Sequence, residues 1–215
     1  MAAVGGQSAQ GGGTGRESAP IEFRDAVEAL TGARLRPEVR LSQQPAPRRL
    51  APYAVALSAT VEVDGEELAD GTLVLLHDPS APEAWSGDFR VVTMSRAELE
   101  PEMAGDPVLS EVGWTWLLDA LQAHSAGYAE PSGTVTRCHS QYFGGLAERG
   151  ASTEIELRAS WTPADRRFDR HLAAWVDLLC VCAGLPPTAA APLAESGSLG
   201  GVVPMPARRR PRNSH

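Results

Sequence analysis

The chain has 215 residues, is 43% hydrophobic, and carries a net charge of −8 with only three cysteines. All 19 basic residues are arginine, which excludes a Schiff-base lysine, a phosphate-loop lysine and any lysine modification. Arginine stays charged at every working pH, so no basic side chain here serves as a tuned amine base.

Three cysteines do not make a disulfide framework. No run approaches the ~20 apolar residues that span a bilayer. The opening MAAVGGQSAQGGGTG has no basic and no apolar region of a secretory signal, so the cytoplasm is the expected compartment. Between Thr60 and Glu130 the acidic residues far outnumber the two arginines there, Arg90 and Arg96, which disfavours a nucleic-acid surface. Only Arg208, Arg209, Arg210 and Arg212 near the end could touch phosphate or an acidic patch.

Residues 1–18 are Gly-, Ser- and Gln-rich without periodicity and read as a disordered tail. Residues 188–215 read the same way, leaving one domain over residues 19–187, large enough to bury roughly 70% of its unfolded surface. A first helix is predicted over residues 20–30, capped by Ser18, with Phe23, Ala26, Val27 and Leu30 on one face. The Pro/Arg-rich stretch RPEVRLSQQPAPRRLAP then reads as an extended surface connector.

A strand is predicted over residues 53–63. Asp64-Gly65 and Asp70-Gly71 bracket an acidic loop, and TLVLLH over residues 72–77 reads as a strand buried on both faces. A third strand covers residues 88–94 and is followed by the acidic connector RAELEPEMAG. A second helix covers residues 107–124, with Asp106 as its cap. Strands over residues 133–143 and 153–161 come next. In the latter, Ile155, Leu157, Ala159 and Trp161 alternate with Glu154, Glu156, Arg158 and Ser160. A third helix over residues 165–183 ends at Gly184. The order α-β-β-β-α-β-β-α, with hairpin-like neighbours, predicts an α+β domain with a five-stranded, mainly antiparallel sheet.

The second helix is apolar around more of its circumference than one contact requires. At 100° per residue, Leu109, Val112, Trp116 and Ala120 form one stripe, and Trp114, Leu118 and Leu121 form another. Two readings stay open: both stripes are buried within the domain, or Trp114, Leu118 and Leu121 form a dimer or partner interface.

Other chemistry is weak. Cys180 and Cys182 diverge by about 200° on a helix, and Cys138 and His139 face opposite sides of a strand, so neither pair suits one metal ion. No G-x-S-x-G elbow supplies a nucleophile for His77 and Asp78, which read as a strand-end turn. The acidic residues Asp64, Glu66, Glu67 and Asp70, and then Glu98, Glu100 and Glu102, lack the calcium-loop pattern. With a turn at residues 144–151, Arg137, His139 and Gln141 would share the wet face with Glu154, Glu156 and Arg158. No catalytic residue, metal or cofactor is therefore expected.

DFRVVTMSRAELEPEMAGDPVLSEVGWTWLLDAL, with LAPYAVALSATVEV before it and HLAAWVDLLCVCAGLPP after it, resembles the actinobacterial domain-of-unknown-function family numbered 3000 over residues 21–187. That resemblance implies no activity and no site residues. The element order also resembles class I type III secretion chaperones, a likeness of fold alone that would imply a dimer binding extended peptides. The expectation is a cytoplasmic, non-enzymatic interaction or adaptor module with a protein partner or a second copy. The alternative is a small-molecule-binding domain or enzyme with a pocket between the sheet and the second helix.

Overall fold

The structure is a computed structural model that describes residues 19–188, apart from 48, 101, 102 and 104. The predicted N-terminal tail, the predicted C-terminal tail beyond Thr188, the Ser18 cap, Glu102 and the C-terminal arginine cluster lie outside those residues.

Three helices, α1 (Ile21–Thr31), α2 (Leu109–Ala123) and α3 (Phe168–Cys182), pack on one face of a sheet. Its strands are β1 (Val39–Gln44), β2 (Tyr53–Val63), β3 (Glu66–His77), β4 (Phe89–Leu99), β5 (Tyr128–Gln141) and β6 (Ala151–Pro163). The spatial order is β1-β2-β3-β4-β6-β5, and every neighbouring pair is antiparallel. The α+β class stands, but the sheet has six strands rather than five.

The additional strand is β1, inside the stretch read as a surface connector. Val39 and Leu41 pair with Val61 and Ala59, and their side chains join the core. The rest of β1 is Arg, Ser and Gln, exposed at a sheet edge, so its alternation carries almost no hydrophobic signal.

Strand lengths also differ from expectation. Only Asp64-Gly65 turns the chain: both residues have positive φ (54° and 80°), and Val63 pairs with Glu66 across a two-residue hairpin loop. Asp70-Gly71 lies inside β3, where Gly71 has a packing role. A Cβ there would sit 2.9 Å from the Trp175 ring and 3.0 Å from Leu179, so glycine lets α3 descend onto the sheet. β4 likewise continues through Leu99, absorbing the start of the predicted acidic connector.

The odd-numbered residues of β2, β3, β4 and β6 face the helices. Leu57, Leu73, Leu75, Val91, Ile155, Leu157 and Trp161 are at most 1% exposed. The alternation predicted for residues 155–161 is present as read. The predicted face of α1 (Phe23, Ala26, Val27, Leu30) is buried, and Phe23 stacks on His77, which stacks on Phe89. Among the described residues no α-helix lies on the opposite sheet face, and Thr72 and Val74 of β3 stay half-buried rather than enclosed on both sides.

β4 leads through α2 to β5 at the far edge, and β6 returns into the gap between them. α2 is thereby laid over β5 and β6. Gly113 of α2 seats directly on them, since a Cβ there would lie 3.3 Å from Ile155 and 3.4 Å from Val135.

Candidate functional site

The buried stripe of α2 is Leu109, Gly113, Leu117, Ala120 and Leu121, centred between the two stripes read from the sequence. Those stripes are the flanks of a single face. Leu121 is 0% exposed and belongs to the core, which removes it from any contact surface of this chain. Trp114 and Leu118 are half-buried on one flank, and the Trp114 ring packs where a Cβ on Gly133 would meet it at 2.8 Å. On the other flank Trp116 is half-buried against the core and Val112 is 36% exposed. The centre was missed because Gly113 contributes no hydrophobic signal and the indoles on either side dominate the wheel.

The remaining candidates lie apart from one another. Cys180 and Cys182 are core residues whose thiols burial pushes up to about 12. His77 is 3% exposed within the aromatic stack, and its Nδ1 lies 3.0 Å from the Asp88 carbonyl oxygen. The Asp78 carboxylate accepts from the Ser80 N–H at 2.9 Å and from its hydroxyl, closing a turn.

The β5–β6 register overturns the expected wet-face set. Arg137 pairs with Ile155 and His139 with Thr153, on the helix side, whereas Thr134, Thr136 and Cys138 pair with Arg158, Glu156 and Glu154. His139 Nδ1 is 2.9 Å from the Thr153 hydroxyl, and Arg137 donates to the Asp106 carbonyl at 2.7 Å.

On the face without helices, β4, β6 and β5 present a polar constellation that sequence reasoning had passed over. Arg90 is 8% exposed and donates to Thr162 Oγ1 at 3.0 Å, Ser160 Oγ at 2.8 Å and Ser132 Oγ at 3.2 Å. No ion pair among the described residues involves it. Burial lowers its pKa, and only the field of Glu130 acts the other way.

The register brings these groups together, because Ser132 pairs with Ser160 and Thr134 with Arg158, which pairs in turn with Met94. The residues 78–88 bend over the end of this face, where the Trp85 carbonyl accepts the Thr162 hydroxyl. Beside Arg90 lies an open hollow of about 450 Å³ lined by Met94, Ser132, Thr134, Arg158 and Ser160. It is on the side of the sheet opposite α2, whereas the alternative reading placed a pocket between the sheet and the second helix. A lone arginine in the apolar run FRVV was the available signal.

The model of a family described as a protein of unknown function (DUF3000) matches residues 19–191, spanning every element above. The chain belongs to the DUF3000 family. The resemblance read from the sequence is thus correct as to family, and the family's description assigns no activity. Neither a curated protein nor a solved structure is significantly similar to this chain. Arg90, the hydroxyls around it and the α2 flanks all fall inside the DUF3000 match, so they are features of the family domain as this chain builds it.

Proposed function

We propose that this DUF3000 chain is a non-enzymatic protein-interaction module that assembles through the outer edge of β5 and the adjoining flank of α2, with a second copy as its partner. The observation that carries this reading is the contrast between the two sheet edges. β1 is six residues long and is followed by Pro45 and Pro47, devices that discourage further pairing. β5 is 14 residues long, and no strand among the described residues pairs with its outer side.

From residue 132 to 141 β5 holds no proline and no acid, and its one charged residue is Arg137. Two copies of a chain with net charge −8 can therefore meet there without acidic residues opposing one another. Trp114 and Leu118 on α2 supply aromatic and aliphatic surface close to that edge. A cytoplasmic setting is supported by the free state of Cys138, Cys180 and Cys182. No helix among the described residues is long and apolar enough to cross a membrane.

Light scattering on the full chain tests the reading. The expected mass is that of a dimer. Thr136→Lys, on an exposed residue of β5, should lower that mass while leaving the denaturation midpoint in place. A parent chain that stays monomeric over a wide concentration range would refute self-assembly.

A further inference from the structure

The sheet face opposite the helices holds a buried cation whose partners are all neutral. Arg90 is held by three hydroxyls and touches no carboxylate among the described residues, Glu130 acting on it only at a distance, so its desolvated charge is only partly compensated. Each hydroxyl that accepts from Arg90 keeps its own O–H to donate elsewhere. Ser132 Oγ and Ser160 Oγ lie 3.2 Å apart, so one satisfies the other and at least one proton remains for the hollow. Thr134 adds a hydroxyl with no partner among the described residues.

On the rim stands Arg158, its side chain 66% exposed. Its Nε donates to Glu156 at 2.8 Å, which leaves its two terminal nitrogens free. Among the described residues no carboxylate lines the hollow, although Glu154, Glu156 and Glu98 share this sheet face one or two rows away. Met94 supplies apolar wall.

We propose that this hollow binds a small organic oxyanion, its carboxylate or phosphate held between Arg158 and the hydroxyls of Ser132, Thr134 and Ser160, with Arg90 behind them. Arg90 polarises the serine hydroxyls as donors, and Arg158 supplies the planar fork that matches a two-oxygen anionic group. A volume of about 450 Å³ accommodates an apolar remainder lying on Met94. The site lies on the sheet face opposite α2: Ser132 and Thr134 reach it from the face of β5, whereas assembly would use that strand's outer backbone edge.

The competing role of Arg90 is purely structural, a staple across β4, β6 and β5. The test therefore leaves Arg90 in place. The full chain is titrated with inorganic phosphate, phenyl phosphate and benzoate at constant ionic strength, followed by calorimetry and by amide chemical shifts.

Saturable binding of at least one probe is expected, with shifts centred on residues 93–94, 132–134 and 158–160. Arg158→Gln and Thr134→Val should each weaken it about tenfold with an unchanged denaturation midpoint. Preference for phenyl phosphate or for benzoate then distinguishes a phosphate from a carboxylate ligand, and either supports the site. No saturable binding by any probe up to about 10 mM, a concentration already in the weak range, overturns it. So does binding that both variants retain at full strength.

Discussion

His171, in the first turns of α3, is 0% exposed, and the Trp161 indole N–H donates to its Nδ1 at 3.1 Å. That bond places the imidazole proton on Nε2, which has no partner among the described residues. Burial lowers its pKa from 6.5 to about 4, against the opposing fields of Asp165 and Asp169. The folded state therefore takes up this proton less readily than the unfolded chain. Its contribution is complete above pH 6.5 and is lost as the pH falls towards 4, by about 3 kcal/mol. Urea denaturation at pH 7 and pH 4.5 should show that decline, and His171→Gln, which keeps an acceptor for Trp161, should flatten it. Gly71 offers a second test at this scale. Gly71→Ala would drive a methyl to 2.5 Å from the Met94 carbonyl oxygen and against Trp175 and Leu179, and should cost about 3 kcal/mol or more by denaturant titration.

At the scale of elements, α2 illustrates how a helix face can be read correctly as apolar and misjudged in its centre. Leu117, 0% exposed, should lose about 2–5 kcal/mol on Leu117→Ala, whereas Val112→Ala should stay within about 0.5 kcal/mol. Equal costs at the two positions would contradict the observed orientation. The joint between α2, α3 and the segment 185–188 depends on Asp177, which is 2% exposed. Its carboxylate lies 2.9 Å from His124 Nε2, accepts the Thr188 hydroxyl at 2.7 Å and is 3.7 Å from Arg36. Burial opposes its ionisation, but the hydrogen bonds from His124 and Thr188 outweigh that and hold its carboxyl below the ordinary value of 3.8. This contribution is present above that value and lost as the pH falls through the lowered one. Asp177→Ala should cost about 1–3 kcal/mol, because His124 and Thr188 would lose their carboxylate partner while Arg36 keeps Glu38, and limited proteolysis should then cut nearer residue 188.

For the whole molecule, the net charge of −8 sets a prediction on assembly: association should strengthen as salt rises from about 0.05 to 0.5 M, where screening shortens the reach of repulsion. Sedimentation at the two salt concentrations checks this. A fall in mass with salt would mean that the contact is held by opposite charges instead of by β5 and α2. Much of the fold was legible locally. The α1 face, the β6 alternation, the Asp64-Gly65 hairpin and the α+β class follow from periodicity and turn chemistry, which depend on near neighbours. β1 was not legible, since an edge strand of Arg, Ser and Gln between prolines has no apolar period. Nor was the site beside Arg90, whose partners Ser132, Ser160 and Thr162 lie 42 to 72 residues away. The sequence by itself determined which residues can be buried and where the chain turns, because those are properties of short windows. The strand order decided what lies together: inserting β6 between β4 and β5 puts three hydroxyls around one guanidinium on the face that the helices leave open.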